Sequence, residues 1–119
     1  MSYNNNLNEK YNALCHDPSV TLGAQCIVQI GTRFFFLVEL ETPIERVIVI
    51  EITAAQFAAL RAAGVCICPI LTSVPTAVAG TTVELQCTFI VGNEAFIVFE
   101  IENARERLVI VRSPLCTII

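Results

Sequence analysis

An all-β body with one short helix is what this chain predicts, as two three-stranded antiparallel repeats packed in a β-sandwich or small barrel. Three observations carry that expectation. Gln25 to Ile52 aligns without gaps on Gln86 to Ser113, at an offset of 61 residues. β-Branched and aromatic residues fill both stretches, as half-buried pleated surfaces prefer. Matching turn residues interrupt each stretch at the same places, dividing it into three strand-length runs.

The alignment is specific. Gln25/Gln86, Cys26/Cys87, Gly31/Gly92, Phe35/Phe96, Glu39/Glu100, Glu41/Glu102, Glu45/Glu106 and Arg46/Arg107 are identical pairs. Others exchange one large apolar residue for another, as in Val38/Phe99, Leu40/Ile101 and Ile50/Val111. A shared Gln-Cys, a Gly five residues after the Cys, and a common Glu-x-Glu-x3-Glu-Arg run point to an internal duplication.

The elements follow in order. Residues 1–18 are polar, have no clear period and read as a flexible N-terminal arm. Residues 19–119 read as a single β domain. Its first repeat (25–52) predicts strands over about Val20–Ile30, Phe34–Glu41 and Glu45–Ile52. Gly31-Thr32 supplies the first turn, because Gly accepts the positive φ of a tight hairpin. Thr42-Pro43-Ile44 supplies the second. Thr53 is a helix N-cap, Ala54 to Ala63 are good helix formers, and Gly64 ends the helix. Phe57 and Leu60, three apart, give that helix one short docking face. The rest of the 53–80 junction, from Cys66-Ile67-Cys68-Pro69 to Gly80, reads as a connector. The second repeat (86–113) predicts strands over about Thr81–Val91, Ala95–Glu102 and Glu106–Arg112, turning at Gly92-Asn93 and Asn103-Ala104-Arg105.

Alternation divides each strand into two faces. Phe34, Phe36, Val38 and Leu40 share one, with Ala95, Ile97, Phe99 and Ile101 as their counterparts, and these are the expected core. The opposite face carries Phe35, Leu37, Val47 and Val49, or Phe96, Val98, Leu108 and Ile110, ending in the acidic residues Glu39, Glu41, Glu100 and Glu102. An isolated antiparallel sheet needs one apolar face. The second face is therefore the candidate assembly face, and its acidic end reads as solvated.

Composition agrees. Apolar residues make up 55% of the chain and charged residues 15%, against roughly 45–50% and 25% in ordinary soluble domains. Few charges are available to cover a small domain, so apolar surface should meet a partner, and identical partners are the commonest kind. A net charge of −4 with scattered basic residues excludes a nucleic-acid stripe. The uncharged stretch from Ala62 to Val83 is broken by Gly64, Pro69, Pro75 and Gly80, so no membrane span is expected. The Asn-rich start has no apolar segment of the secretory type.

Catalytic inventory is thin. His16 and Asp17 are the single histidine and aspartate, adjacent and in the arm, where nothing holds a nucleophile against a base. No Gly-rich phosphate loop is present. Cys66-x-Cys68 lacks the spacing and the second Cys pair of a structural zinc site. The expectation is a protein that is not an enzyme and carries no cofactor or metal.

Six cysteines, Cys15, Cys26, Cys66, Cys68, Cys87 and Cys116, are candidates for disulfides or links between subunits. The alternative is buried free thiols, since Cys packs well in apolar cores. Cys26 and Cys87 occupy equivalent repeat positions and could bridge the halves across a pseudo-twofold. Cys15 and Cys116, near the two ends, are better placed for links between subunits.

A polar Asn-rich arm ending in Cys (Met1 to Cys15), the missing secretory signal, the β body and terminal Cys116 together resemble the small cysteine-containing coat, exosporium and appendage proteins of spore-forming bacteria. The resemblance implies a chain made in the cytoplasm and deposited on a spore or particle surface, with Cys15 linking neighbouring subunits. The expected function is a structural subunit that assembles with itself into a filament, shell or coat. The alternative is a non-catalytic binding module for a protein or carbohydrate. The absence of Trp, and Tyr only at Tyr3 and Tyr11, count against a sugar platform.

Overall fold

The computed structural model describes residues 22–42, 44–103 and 105–114. The chain is mainly β with one short helix, and divides into two compact units, Met1–Ile67 and Cys68–Ile119. The N-terminal arm, the start of the first strand at Val20, and the turn residues Pro43 and Ala104 lie outside the described residues.

The first unit holds β1 (Leu22–Ile30), β2 (Arg33–Leu40) and β3 (Arg46–Ile52), antiparallel in that order, followed by helix α1 (Ala54–Ala62). Gly31 has φ of 62°, and among the described residues no residue type other than Gly takes a positive φ. Positive φ at the first of two central turn residues is the II′ arrangement, whose twist suits a hairpin. Helix α1 starts on a capping box. Thr53 Oγ1 accepts the Gln56 N–H at 3.1 Å, and Gln56 Oε1 accepts the Thr53 N–H at 2.8 Å. Two otherwise orphaned donors are thereby satisfied.

The second unit holds β4 (Ile70–Leu71), β5 (Thr82–Val91), β6 (Glu94–Glu102) and β7 (Glu106–Pro114), ordered β4-β7-β6-β5. Three of these strands were expected. The fourth, β4, comes from what reads in sequence as connector, and it pairs parallel to β7 through Ile70↔Ile110 and Leu71↔Val111. The Ile110 N–H donates to the Pro69 carbonyl at 2.9 Å. Proline has no N–H to offer a ladder but keeps its carbonyl, so Pro69 can open a strand at a sheet edge.

The repeats share one hydrogen-bond register. Cys26 faces Leu37 and Phe34 faces Ile52; 61 residues later, Cys87 faces Val98 and Ala95 faces Ser113. Even the irregularity repeats. The β1–β2 register slips by one residue between Leu22 and Gln25, and the β5–β6 register slips by one between Leu85 and Cys87. A bulge of this kind reverses which face the following residues occupy.

An ion pair is repeated with its charges exchanged. Arg33 Nη2 meets Glu51 Oε1 at 2.8 Å and Arg33 Nε meets Glu51 Oε2 at 2.9 Å. At the equivalent positions, Glu94 Oε2 meets Arg112 Nε at 3.4 Å. In each case the guanidinium lies 5.4 Å from the centre of a phenylalanine ring, Phe35 in one unit and its counterpart Phe96 in the other. A guanidinium within about 6 Å of a ring centre is attracted by its π-face. Hydrogen bonding to Arg33 lowers the Glu51 pKa below its usual value.

Candidate assembly surface

In the first unit the expected core face is a core. Ile27, Phe36, Val38, Leu40, Ile52 and Leu60 form one buried cluster, with Phe34, Ile48, Ile50, Phe57 and Val65 packed against it. Helix α1 lies over this face, and its Phe57 ring sits 5.0 Å from Phe34, tilted by 49°. The β1 edge is occupied as well. The Ile27 N–H donates to the Cys66 carbonyl at 2.9 Å, and Ile27 forms a parallel bridge with Ile67.

The equivalent face of the second unit is different. Antiparallel partners share a face, so Leu85 lies with Phe99, Thr88 with Ile97, and Ile90 with Ala95. Near β7 this face is closed, with Ile101, Val109 and Val111 buried. Toward β5 it opens. Ala95, Ile97 and Phe99 are half-buried, and Leu85 and Ile90 expose 64% and 58% of their surface. The expectation that Ala95, Ile97, Phe99 and Ile101 form a closed core thus holds for Ile101 alone.

The candidate assembly face drawn from the sequence needs the opposite correction. Phe35, Leu37, Phe96, Val98, Leu108 and Ile110 are all buried within the chain, and Val47 and Val49 are half-buried. A side chain without accessible surface cannot meet a second subunit. Alternation shows that two faces are apolar, but both faces of a sheet can be covered by the same chain, and periodicity does not report which one is.

The acidic strand ends are corrected too. Glu39 is fully buried and Glu100 is 2% exposed; Glu41 is half-buried and Glu102 is exposed. Glu39 Oε1 accepts the Ala24 N–H at 3.2 Å, beside the β1 bulge. Gly23 makes room for this arrangement, because a Cβ there would collide with Glu39 Oε1 and press on Glu41 Oε2. Its counterpart, exposed Glu84, stands opposite Glu100, with a carboxylate oxygen of each within 4.8 Å. Glu39 and Glu100 follow Phe35-x-Leu37 and Phe96-x-Val98 on the same strand face, but alternation alone does not report that this face is covered.

Cys26 and Cys68, both buried, are disulfide-bonded, whereas Cys66 and Cys87 carry free thiols. The bridge joining Cys26 to Cys87 is therefore not formed. Cys66 is exposed; Cys87 is half-buried, and desolvation pushes its thiol pKa upward. A disulfide sulfur is not a thiolate, so Cys66-x-Cys68 does not present a paired metal ligand. Cys15 and Cys116 lie outside the described residues.

No helix among the described residues is long and apolar enough to cross a membrane. No protein-family model, curated protein or solved structure matches the chain.

Proposed function

We propose that this protein is a non-enzymatic structural subunit that assembles with copies of itself into a filament, shell or coat. One observation carries the reading. The second sheet offers an open apolar face and edge around Leu85 and Ile90, where the first sheet is covered by helix α1 and the Cys66–Ile67 segment. Exposed apolar side chains grouped on one sheet face mark an interaction surface.

The bonded state of Cys26 and Cys68 supports deposition in an oxidising setting such as a spore or particle surface, since disulfides persist where thiols are not kept reduced. Cys15 and Cys116 serve in this reading as covalent links between neighbouring subunits.

Light scattering over a range of concentrations, alongside negative-stain images, tests the proposal. The expected result is a mass that climbs above the 13.0 kDa chain and regular particles in the images. A 13.0 kDa monomer at every concentration, with and without reductant, would defeat it and favour a binding module for a different protein.

A further inference from the structure

We infer that copies of this chain join through β5, edge to edge and antiparallel, so that two second-unit sheets become one continuous sheet across a twofold axis. This rests on the self-assembly reading and names one joint within it, since a twofold contact by itself closes at a dimer.

The matched repeats provide the argument, because position by position they show what a covered edge looks like and what an open one looks like. β1 and β5 are equivalent strands at the edges of their sheets. At Ile27, β1 is closed by a main-chain hydrogen bond to Cys66 and a bridge to Ile67, and Ile27 has no exposed surface. Its counterpart Thr88 is exposed, and among the described residues β5 pairs with β6 alone. The side chains change accordingly. Exposed Gln29 in β1, whose amide donates to the Gly31 carbonyl at 3.0 Å, corresponds to exposed Ile90. Half-buried Ala24 corresponds to exposed Leu85. At these two matched sites the second repeat carries a large exposed apolar side chain where the first carries Gln29 or Ala24.

β5 also lacks most protections of a solvent-facing edge strand. Natural edges are kept short, are twisted by bulges, or carry Lys, Pro or inward charges; of these β5 has the bulge between Leu85 and Cys87. β5 runs for ten residues with no Pro and no Lys, and Glu84 near one end is its single charge.

Charge selects the occupant. Leu85, Thr88, Ile90, Ala95, Ile97 and Phe99 include no charged group, while the whole chain carries a net charge of −4. Two acidic copies repel over most of their surfaces and meet at least cost where charge is absent. A basic partner would find no acidic counterpart on this face. A second β5 brings the same apolar face and an edge that pairs with nothing further among the described residues, and a twofold axis makes the pairing antiparallel without further adjustment. The pairing should be concentration-dependent, with main-chain hydrogen bonds along the β5 edge adding to the apolar contact of Leu85 and Ile90.

The experiment is amide hydrogen exchange on the full chain at low and high concentration, together with light scattering of Leu85→Lys and Ile90→Lys. Expected is slower exchange across 82–91 at high concentration with β1 unchanged, and association weakened at least about tenfold in each variant, as charge on an edge strand blocks pairing. Both positions are exposed, and circular dichroism of the variants verifies the fold. If the wild-type chain assembles while β5 exchange stays constant and both lysine variants assemble normally, the edge pairing is wrong and self-assembly stands. If the wild-type chain does not assemble at all, both fail.

Discussion

The two sheets share strand register, bulge, hairpin turn and a charge-exchanged ion pair, yet they differ in what lies over them. In the first, helix α1 sits on Phe34, Phe36 and Val38, and Cys66–Ile67 lies along the β1 edge. In the second, the corresponding face is open from Phe99 to Ile90, and the corresponding edge is free among the described residues. The comparison teaches that a duplicated pattern reproduces a hydrogen-bond ladder, whereas coverage comes from the segments between and beyond the repeats. The same alternation becomes core in one copy and surface in the other.

The sharpest way to break this comparison is to truncate matched side chains. Phe36, 1% exposed, should cost about 3–5 kcal/mol as Phe36→Ala, the usual range for a buried aromatic. Its half-buried counterpart should lose less, under about 2 kcal/mol for Ile97→Ala, because part of its surface is already in water. Urea unfolding at concentrations where the chain is monomeric measures both. Equal losses would mean that the second face is as well covered as the first.

The equivalent cysteines come next. Cys26→Ser should destabilise by about 2–5 kcal/mol, since it removes a disulfide, while Cys87→Ser should change stability by less than about 1 kcal/mol because its thiol is free and half-buried. Adding reductant to the wild-type chain should reproduce most of the Cys26→Ser loss. If reductant has no effect on the unfolding midpoint, the disulfide does not contribute.

A smaller contrast separates Gly23 from Glu84. Gly23→Ala should cost about 1–3 kcal/mol, because the new Cβ displaces the buried Glu39 carboxylate from the Ala24 N–H. Glu84→Gln should instead stabilise by about 0.2–1 kcal/mol, as it removes a like charge opposite Glu100. Thermal melts of the two variants should therefore move in opposite directions.

The charge-exchanged ion pair gives the smallest effect, since both of its side chains in the first unit are about half exposed to water. Arg33→Glu or Glu51→Arg alone should weaken the fold slightly, and the double exchange should restore it, because the second unit already uses the exchanged arrangement. The pH dependence follows from the lowered Glu51 pKa. A carboxylate that is more acidic in the folded state adds stability above its unfolded pKa and loses it as pH falls through the folded value. The Arg33–Glu51 contribution should accordingly be present at neutral pH and vanish in acid below the ordinary carboxylate value of 4.5, which a double-mutant cycle at both pH values would measure. A coupling that persists in strong acid would contradict it.

Much of the fold was legible in the sequence. The gapless alignment placed six strands close to their final limits, Gly31 and Gly92 marked the hairpins, and Thr53 marked the helix start. These features are local: a capping box or a tight turn is decided within a few residues. The β4 strand was not legible, because Ile70 and Leu71 are too short a run to show a period, and their pairing with β7 is long-range. The burial of Phe35, Leu37, Phe96 and Val98 was not legible for a related reason. Period two separates Phe96 and Val98 from Ile97 and Phe99, but it cannot say which set faces solvent when both are apolar.

By itself, then, the sequence determined the mainly β class, the duplicated register, the hairpin turns and the capped helix, all of which follow from dihedral preference and periodicity along the chain. Only the tertiary structure decided that Glu39 and Glu100 are buried, that Cys26 is disulfide-bonded while its repeat partner Cys87 is a free thiol, and that the open apolar surface lies around Leu85 and Ile90. Burial and disulfide bonding depend on which distant segments come together, and no short-range pattern encodes that.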